Sequence, residues 1–108
     1  MYKVLFMPQA QRDAKSLKAG GLKNKALKLV KIIAENPWQY PPGYEYLKGD
    51  LKGLISRRIN RQHRLVYEII EDEKLVKVYR MWTHYFVYFP LGFTNESGFK
   101  RVFTNIES

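Results

Sequence analysis

Tyr2 to Met7 is a short apolar run ending at Pro8, which predicts a first strand. Pro8 or Gln9 then opens a helix, because proline is tolerated at the first helical position. Ala10, Ala14 and Leu17 recur at helical spacing, and Gly20-Gly21 ends that helix. A second helix is predicted over Leu22 to Asn36, with Leu22, Ala26, Leu29, Val30 and Ile33 as its apolar stripe. Lys23, Lys25, Lys28 and Lys31 take its other faces, as a solvated surface or as a contact for acidic side chains or nucleic-acid backbone. Pro37 follows the stop, and Trp38 to Gly43 is a proline-rich loop leading to Tyr44-Glu45-Tyr46-Leu47-Lys48. Gly49-Asp50 and Lys52-Gly53 mark a turn or bulge.

From Leu54 to Tyr67 the period changes to two. Asn60-Arg61-Gln62 is a three-residue loop closing a hairpin, so Ile59 faces His63 and Arg58 faces Arg64. Side chains alternate along a strand, so Ile55, Ile59, Leu65, Tyr67 and Ile69 share the core face. Ser56, Arg58, Asn60, Arg64 and Glu68 fall on the other. Two arginines directly opposed cost stability unless an anion sits between them, and the guanidinium fork matches a phosphate. A charged hairpin edge that deters aggregation is the plain alternative.

A further strand-like run, Lys74 to Trp82, follows the acidic turn Glu71-Asp72-Glu73, and an antiparallel partner is its simplest reading. One strand, two helices and a meander make an α+β layer arrangement. The helices cover one sheet face, and the other carries Arg58 and Arg64. Residues 86–108 differ in kind: they hold Phe86, Phe89, Phe93, Phe99 and Phe103, and Glu96 and Glu107 balance Lys100 and Arg101. The chain thus divides into a domain over 1–85 and an aromatic-rich extension over 86–108.

With 108 residues, one core-forming domain is the expectation. The formal net charge of +9 and pI near 9.8 suit a polyphosphate chain or an acidic protein as partner. There are no cysteines, which excludes disulfides and thiolate metal sites and fits a reducing cytoplasm. No apolar stretch is long enough for a membrane span, and no basic face suits a membrane surface. The first residues are too short for a signal peptide.

Acid–base chemistry points to few residues. His63 sits by the loop on the core face and reads as structural. His84, at a strand end beside Tyr85, can donate a proton near neutral pH. Glu45 is the matching candidate base. Together with Arg58 and Arg64 these suit RNA cleavage by an attacking ribose 2′-hydroxyl, with arginines stabilising the phosphoryl charge. The sequence contains no metal-binding or phosphate-loop motif, so no metal or other cofactor is implied.

The segments Tyr44-Glu45-Tyr46-Leu47-Lys48-Gly49-Asp50-Leu51-Lys52-Gly53, Ser56-Arg57-Arg58-Ile59, His63-Arg64-Leu65-Val66-Tyr67 and His84-Tyr85 resemble the Txe/YoeB family of toxin endoribonucleases, in the RelE-like superfamily. The resemblance runs from about Tyr2 to Tyr85. It implies a RelE/YoeB-like fold, with a two-helix hairpin on one face of a mainly antiparallel sheet. It also implies an mRNA interferase acting in the ribosomal A site. By the same resemblance Glu45 is the general base and Arg64 stabilises the transition state. His84 is the general acid with Tyr85 beside it, and Arg58, Arg57 and Lys48 contact RNA or phosphate. The implied partners are an acidic Phd/YefM-type antitoxin, operator DNA bound through that complex, and a second toxin copy.

Family members of this kind end at or near the His-Tyr pair, whereas residues 86–108 follow it here. Two readings therefore stand: an active endoribonuclease, or a RelE-fold protein that binds antitoxin or nucleic acid with its site blocked by the extension.

Overall fold

The structure, a computed structural model, describes residues 1–82. His84, Tyr85 and the extension lie outside the described residues. The chain runs β1 (Lys3–Phe6), α1 (Pro8–Ala19), α2 (Lys23–Glu35), β2 (Glu45–Tyr46), β3 (Leu54–Arg58), β4 (Arg64–Ile70) and β5 (Leu75–Arg80). Single 3₁₀ turns occupy Gly49–Leu51 and Glu71–Glu73. Among the described residues no helix is long and apolar enough to cross a membrane.

Each helix starts and stops where its sequence dictates. Pro8 stands at the head of α1, where its missing N–H costs nothing. Gly20 caps its end with its N–H on the Ser16 carbonyl, and Gly21 follows with a φ of 76°, a conformation glycine adopts without strain. In α2, Ala26, Leu29 and Ile33 are buried along one stripe. Each buried Leu or Ile contributes roughly 1.5–3 kcal/mol, far more than propensity alone supplies. These side chains join Ala10 and Leu17 of α1 and Ile55, Leu65, Tyr67, Val76 and Val78 of the sheet in one core.

The strand order is β1-β5-β4-β3-β2. The meander β3-β4-β5 is antiparallel as expected, the short β2, which the sequence pattern leaves without a strand, adds antiparallel to β3, and β1 pairs in parallel with β5. A parallel pair needs a crossover, which α1, α2 and the meander together provide. The hairpin register is the expected one, with Arg58 opposite Arg64. Asn60 closes the loop: its Oδ1 accepts from the Gln62 and His63 N–H groups at 2.8 and 2.7 Å.

Two buried polar hubs tie the layers together. Asp13 of α1 takes Arg80 of β5 in a two-point pair, Nε to Oδ2 at 2.7 Å and Nη2 to Oδ1 at 3.1 Å. The same Oδ2 accepts the Met81 N–H at 2.9 Å, and Arg80 Nη2 also reaches the Trp82 carbonyl. The chain leaving β5 is thereby fixed against α1. Trp82 stacks on His63 with ring centroids 3.7 Å apart, so His63 is structural, as its position on the core face implies.

The second hub is Arg57. Its Nε donates to the Tyr67 hydroxyl at 2.9 Å, Nη1 to the Pro42 carbonyl at 2.8 Å, and Nη2 to the Pro37 and Gln39 carbonyls. Its cation also lies 4.7 Å from the Tyr44 ring centroid.

Candidate active site

Cross-strand register builds the site. Glu45 of β2 stands opposite Ser56 of β3, and Arg58, two residues on, stands opposite Arg64 of β4. Residues directly opposed share a sheet face, and residues two apart on a strand do as well. Glu45, Ser56, Arg58 and Arg64 therefore share the face turned away from the helices. They line a cleft of about 360 Å³ whose remaining wall is Pro42, Gly43 and Tyr44. A carboxylate stands on one side and two guanidinium groups on the other. The diagonal Glu45–Arg58 spacing is on the order of 7–8 Å between Cβ atoms, wide enough to admit a phosphodiester.

Ser56 forms the floor. Its residue is 2% exposed, and its Oγ has no hydrogen-bond partner among the described residues. Leaving a buried hydroxyl unmade costs about 1–3 kcal/mol, so such a group in a cleft calls for an explanation by function. Sequence reasoning set Ser56 on this face but gave it no role. Its place directly across from Glu45 emerges only from the pairing of β2 with β3. Tyr44 was also missed. It sits in a chain of edge-to-face tyrosines, 6.4 Å from Tyr40 and 5.8 Å from Tyr46 between centroids, an arrangement that offers aromatic surface to a base.

Glu45, Arg58 and Arg64 are brought together as the sequence predicts. Arg57 is not part of this surface, which corrects its assignment to phosphate binding. It is 1% exposed and points to the opposite face, because adjacent strand residues alternate. Its donors are committed to Tyr67 and the loop carbonyls, so it shapes the cleft wall from behind. Lys48 is exposed at the start of the first 3₁₀ turn and is not among the cleft-lining residues. His84 and Tyr85 lie outside the described residues.

A larger groove of about 610 Å³ runs between α1, α2 and β1. Among the described residues its lining is apolar side chains with lysines and one glutamine and includes no carboxylate, so these residues offer no acid–base pair there. Among the described residues no group of three or more His, Cys, Asp or Glu converges on a metal position.

A helix pair on one face of a mixed five-stranded sheet is the α+β architecture of the RelE-like toxins. Residues 6–85 match the family described as the YoeB-like toxin of bacterial type II toxin–antitoxin systems, and the chain belongs to that family. It is 42% identical over 66 residues to Toxin YoeB of Synechocystis sp., covering 61% of this chain and 70% of that protein. Among solved structures it is similar to the YoeB–YefM complex from Staphylococcus aureus, with 33% identity and a TM-score of 0.66 over 79% of this chain and 99% of that one. It is also similar to the YoeB dimer from the same organism, with 34% identity and a TM-score of 0.67 over 78% and 98%.

Proposed function

We propose that this chain is an mRNA endoribonuclease, the toxin of its toxin–antitoxin pair, acting on message in the ribosomal A site. The observation that carries the reading is the convergence of Glu45, Arg58 and Arg64 on one cleft of the helix-free face. Glu45 takes the proton from a ribose 2′-hydroxyl. The freed oxygen attacks the adjacent phosphorus, and negative charge gathers on the non-bridging oxygens. Arg64 and Arg58, fixed in register, meet that charge with fork-shaped donors. The P–O5′ bond breaks, and His84, with Tyr85 beside it, gives a proton to the leaving 5′-oxygen. The products are a 2′,3′-cyclic phosphate and a 5′-hydroxyl. No step draws on a metal.

The strong positive charge supports two classes of partner, RNA and an acidic antitoxin. The S. aureus relative is solved with YefM and as a dimer, which supports a Phd/YefM-type antitoxin and a homodimer here. Operator DNA would be bound through the antitoxin complex, and ribosomal action places the protein in the cytoplasm.

Growth on expression of the full chain tests the assignment. Arrest by the native sequence, relieved in Glu45→Gln and in Arg64→Ala with the fold intact, is the expected result. Undiminished arrest by both variants would contradict it.

A further inference from the structure

A second depression adjoins the cleft. It has a volume of about 330 Å³ and is lined by Lys25, Lys28, Leu29 and Ile32 of α2 together with Pro42, Arg58 and Ile59. Pro42 and Arg58 line both depressions, so they form the partition between them. That partition is built, because the Pro42 carbonyl is held by the buried Arg57 Nη1 at 2.8 Å. Among the described residues the second depression has an apolar floor and a rim of three cations, with no carboxylate.

We propose that this depression is a nucleotide subsite for the RNA strand next to the scissile phosphate. The inference rests on the reading of the main cleft as the cleavage site. A single strand carries one phosphate per nucleotide, so a strand lying in the first cleft must deliver its next phosphate nearby. Arg58 stands between the two positions and can bridge consecutive phosphates. Lys25 and Lys28, one turn apart on α2 at i and i+3, share a helix face and meet the next phosphate. Leu29, Ile32 and Ile59 offer apolar contact to a base or sugar, in the way that single-strand grooves pair a charged track with an apolar platform. A solvated lysine face explains the charges alone, but not their meeting with an apolar floor at the edge of the cleft.

The test is an NMR titration of the full-length protein with short RNAs carrying a 2′-deoxy sugar at the cleavable position. A dinucleotide fills only the first cleft and shifts the amides of Ser56, Arg58 and Arg64. A trinucleotide extended at one end, 5′ or 3′, additionally shifts the amides from Lys25 to Ile32 and binds more tightly. In the double variant Lys25→Ala/Lys28→Ala, trinucleotide affinity falls about 5- to 10-fold. Its salt slope drops by about 0.7 for one lost phosphate contact. Dinucleotide affinity is unchanged. If neither extension shifts α2, or if the double variant weakens dinucleotide and trinucleotide alike, the subsite is overturned while the main cleft stands. If the dinucleotide leaves Ser56, Arg58 and Arg64 unshifted, the reading of the main cleft itself fails, and the subsite with it.

Discussion

Arg58 and Arg64 face each other as direct register partners across the β3–β4 hairpin, two like charges on one face of one cleft. Opposed like charges are destabilising, and an anion between them would offset that cost. Arg64→Ala should lower mRNA cleavage by about 10²–10³-fold, the usual effect of removing one donor to a developing charge. Its thermal midpoint should change little, because the substitution relieves the repulsion with Arg58 while giving up the other contacts of Arg64. Arg64→Lys should recover only part of the rate, because an ammonium cannot donate as a fork. Cleavage assays beside thermal denaturation separate these effects. A large drop in stability with unchanged cleavage would reverse the assignment.

Ser56 gives a two-sided expectation. Ser56→Ala removes a buried hydroxyl that has no partner, so the protein should be as stable as the native chain or more so. Cleavage should nevertheless fall, because Ser56 stands directly opposite Glu45 and its packing beneath the cleft sets where that carboxylate stands. Rates and melting curves of the same preparation check both halves.

Arg57 should behave in the opposite way from Arg58. Arg57→Ala strands the Pro42 and Gln39 carbonyls, each about 1–3 kcal/mol when left unmade, while the Pro37 carbonyl keeps the Tyr67 hydroxyl as its donor, so a loss of at least about 2 kcal/mol is expected. Arg58→Ala, at an exposed position, should change stability by less than about 0.5 kcal/mol. Denaturant unfolding of the two variants side by side measures the contrast.

How much of this was legible in the sequence follows from periodicity. The alternation around Asn60 fixes the hairpin register, and that register places Arg58 opposite Arg64. The same alternation puts Arg57 with Ile55 and Ile59 on the core face. An arginine there could be understood only once the loop carbonyls of Pro37, Gln39 and Pro42 were seen to converge on it. Those carbonyls belong to backbone, which has no sequence signature of its own. Asp13 and Arg80 lie 67 residues apart, so nothing local pairs them, and the ion pair appears only when α1 lies on β5. The parallel placement of β1 beside β5 has the same origin, a crossover whose ends only the packed fold brings together.

The Asp13–Arg80 pair is buried at both ends, with side chains 4% and 2% exposed. Asp13→Ala leaves an uncompensated buried guanidinium and should cost about 3–5 kcal/mol. It should also release the Met81 and Trp82 segment that leads to His84. Chemical denaturation checks the first effect. Loss of protection from hydrogen exchange at Met81, whose N–H bonds to Asp13, checks the second.

Burial pushes the Tyr67 hydroxyl's pKa up, partly offset by the hydrogen bond and charge of Arg57. A raised folded pKa means that the contribution is complete below the ordinary tyrosine value. It is lost as pH rises through the folded one. The thermal midpoint should therefore decline above pH about 10, and less steeply in Tyr67→Phe. Melting temperatures of both proteins across pH 8 to about 11.5 show the difference, which also subtracts the other tyrosines.

The central claim is that the cleft around Glu45, Arg58 and Arg64 cuts RNA. The most direct test is primer extension on ribosome-bound mRNA incubated with the purified full-length protein and with its Glu45→Gln variant. Cuts within A-site codons by the native chain, reduced at least about 10²-fold in the variant, are the predicted result. No cuts by the native chain, or the same cuts at the same rate from both proteins, would contradict it.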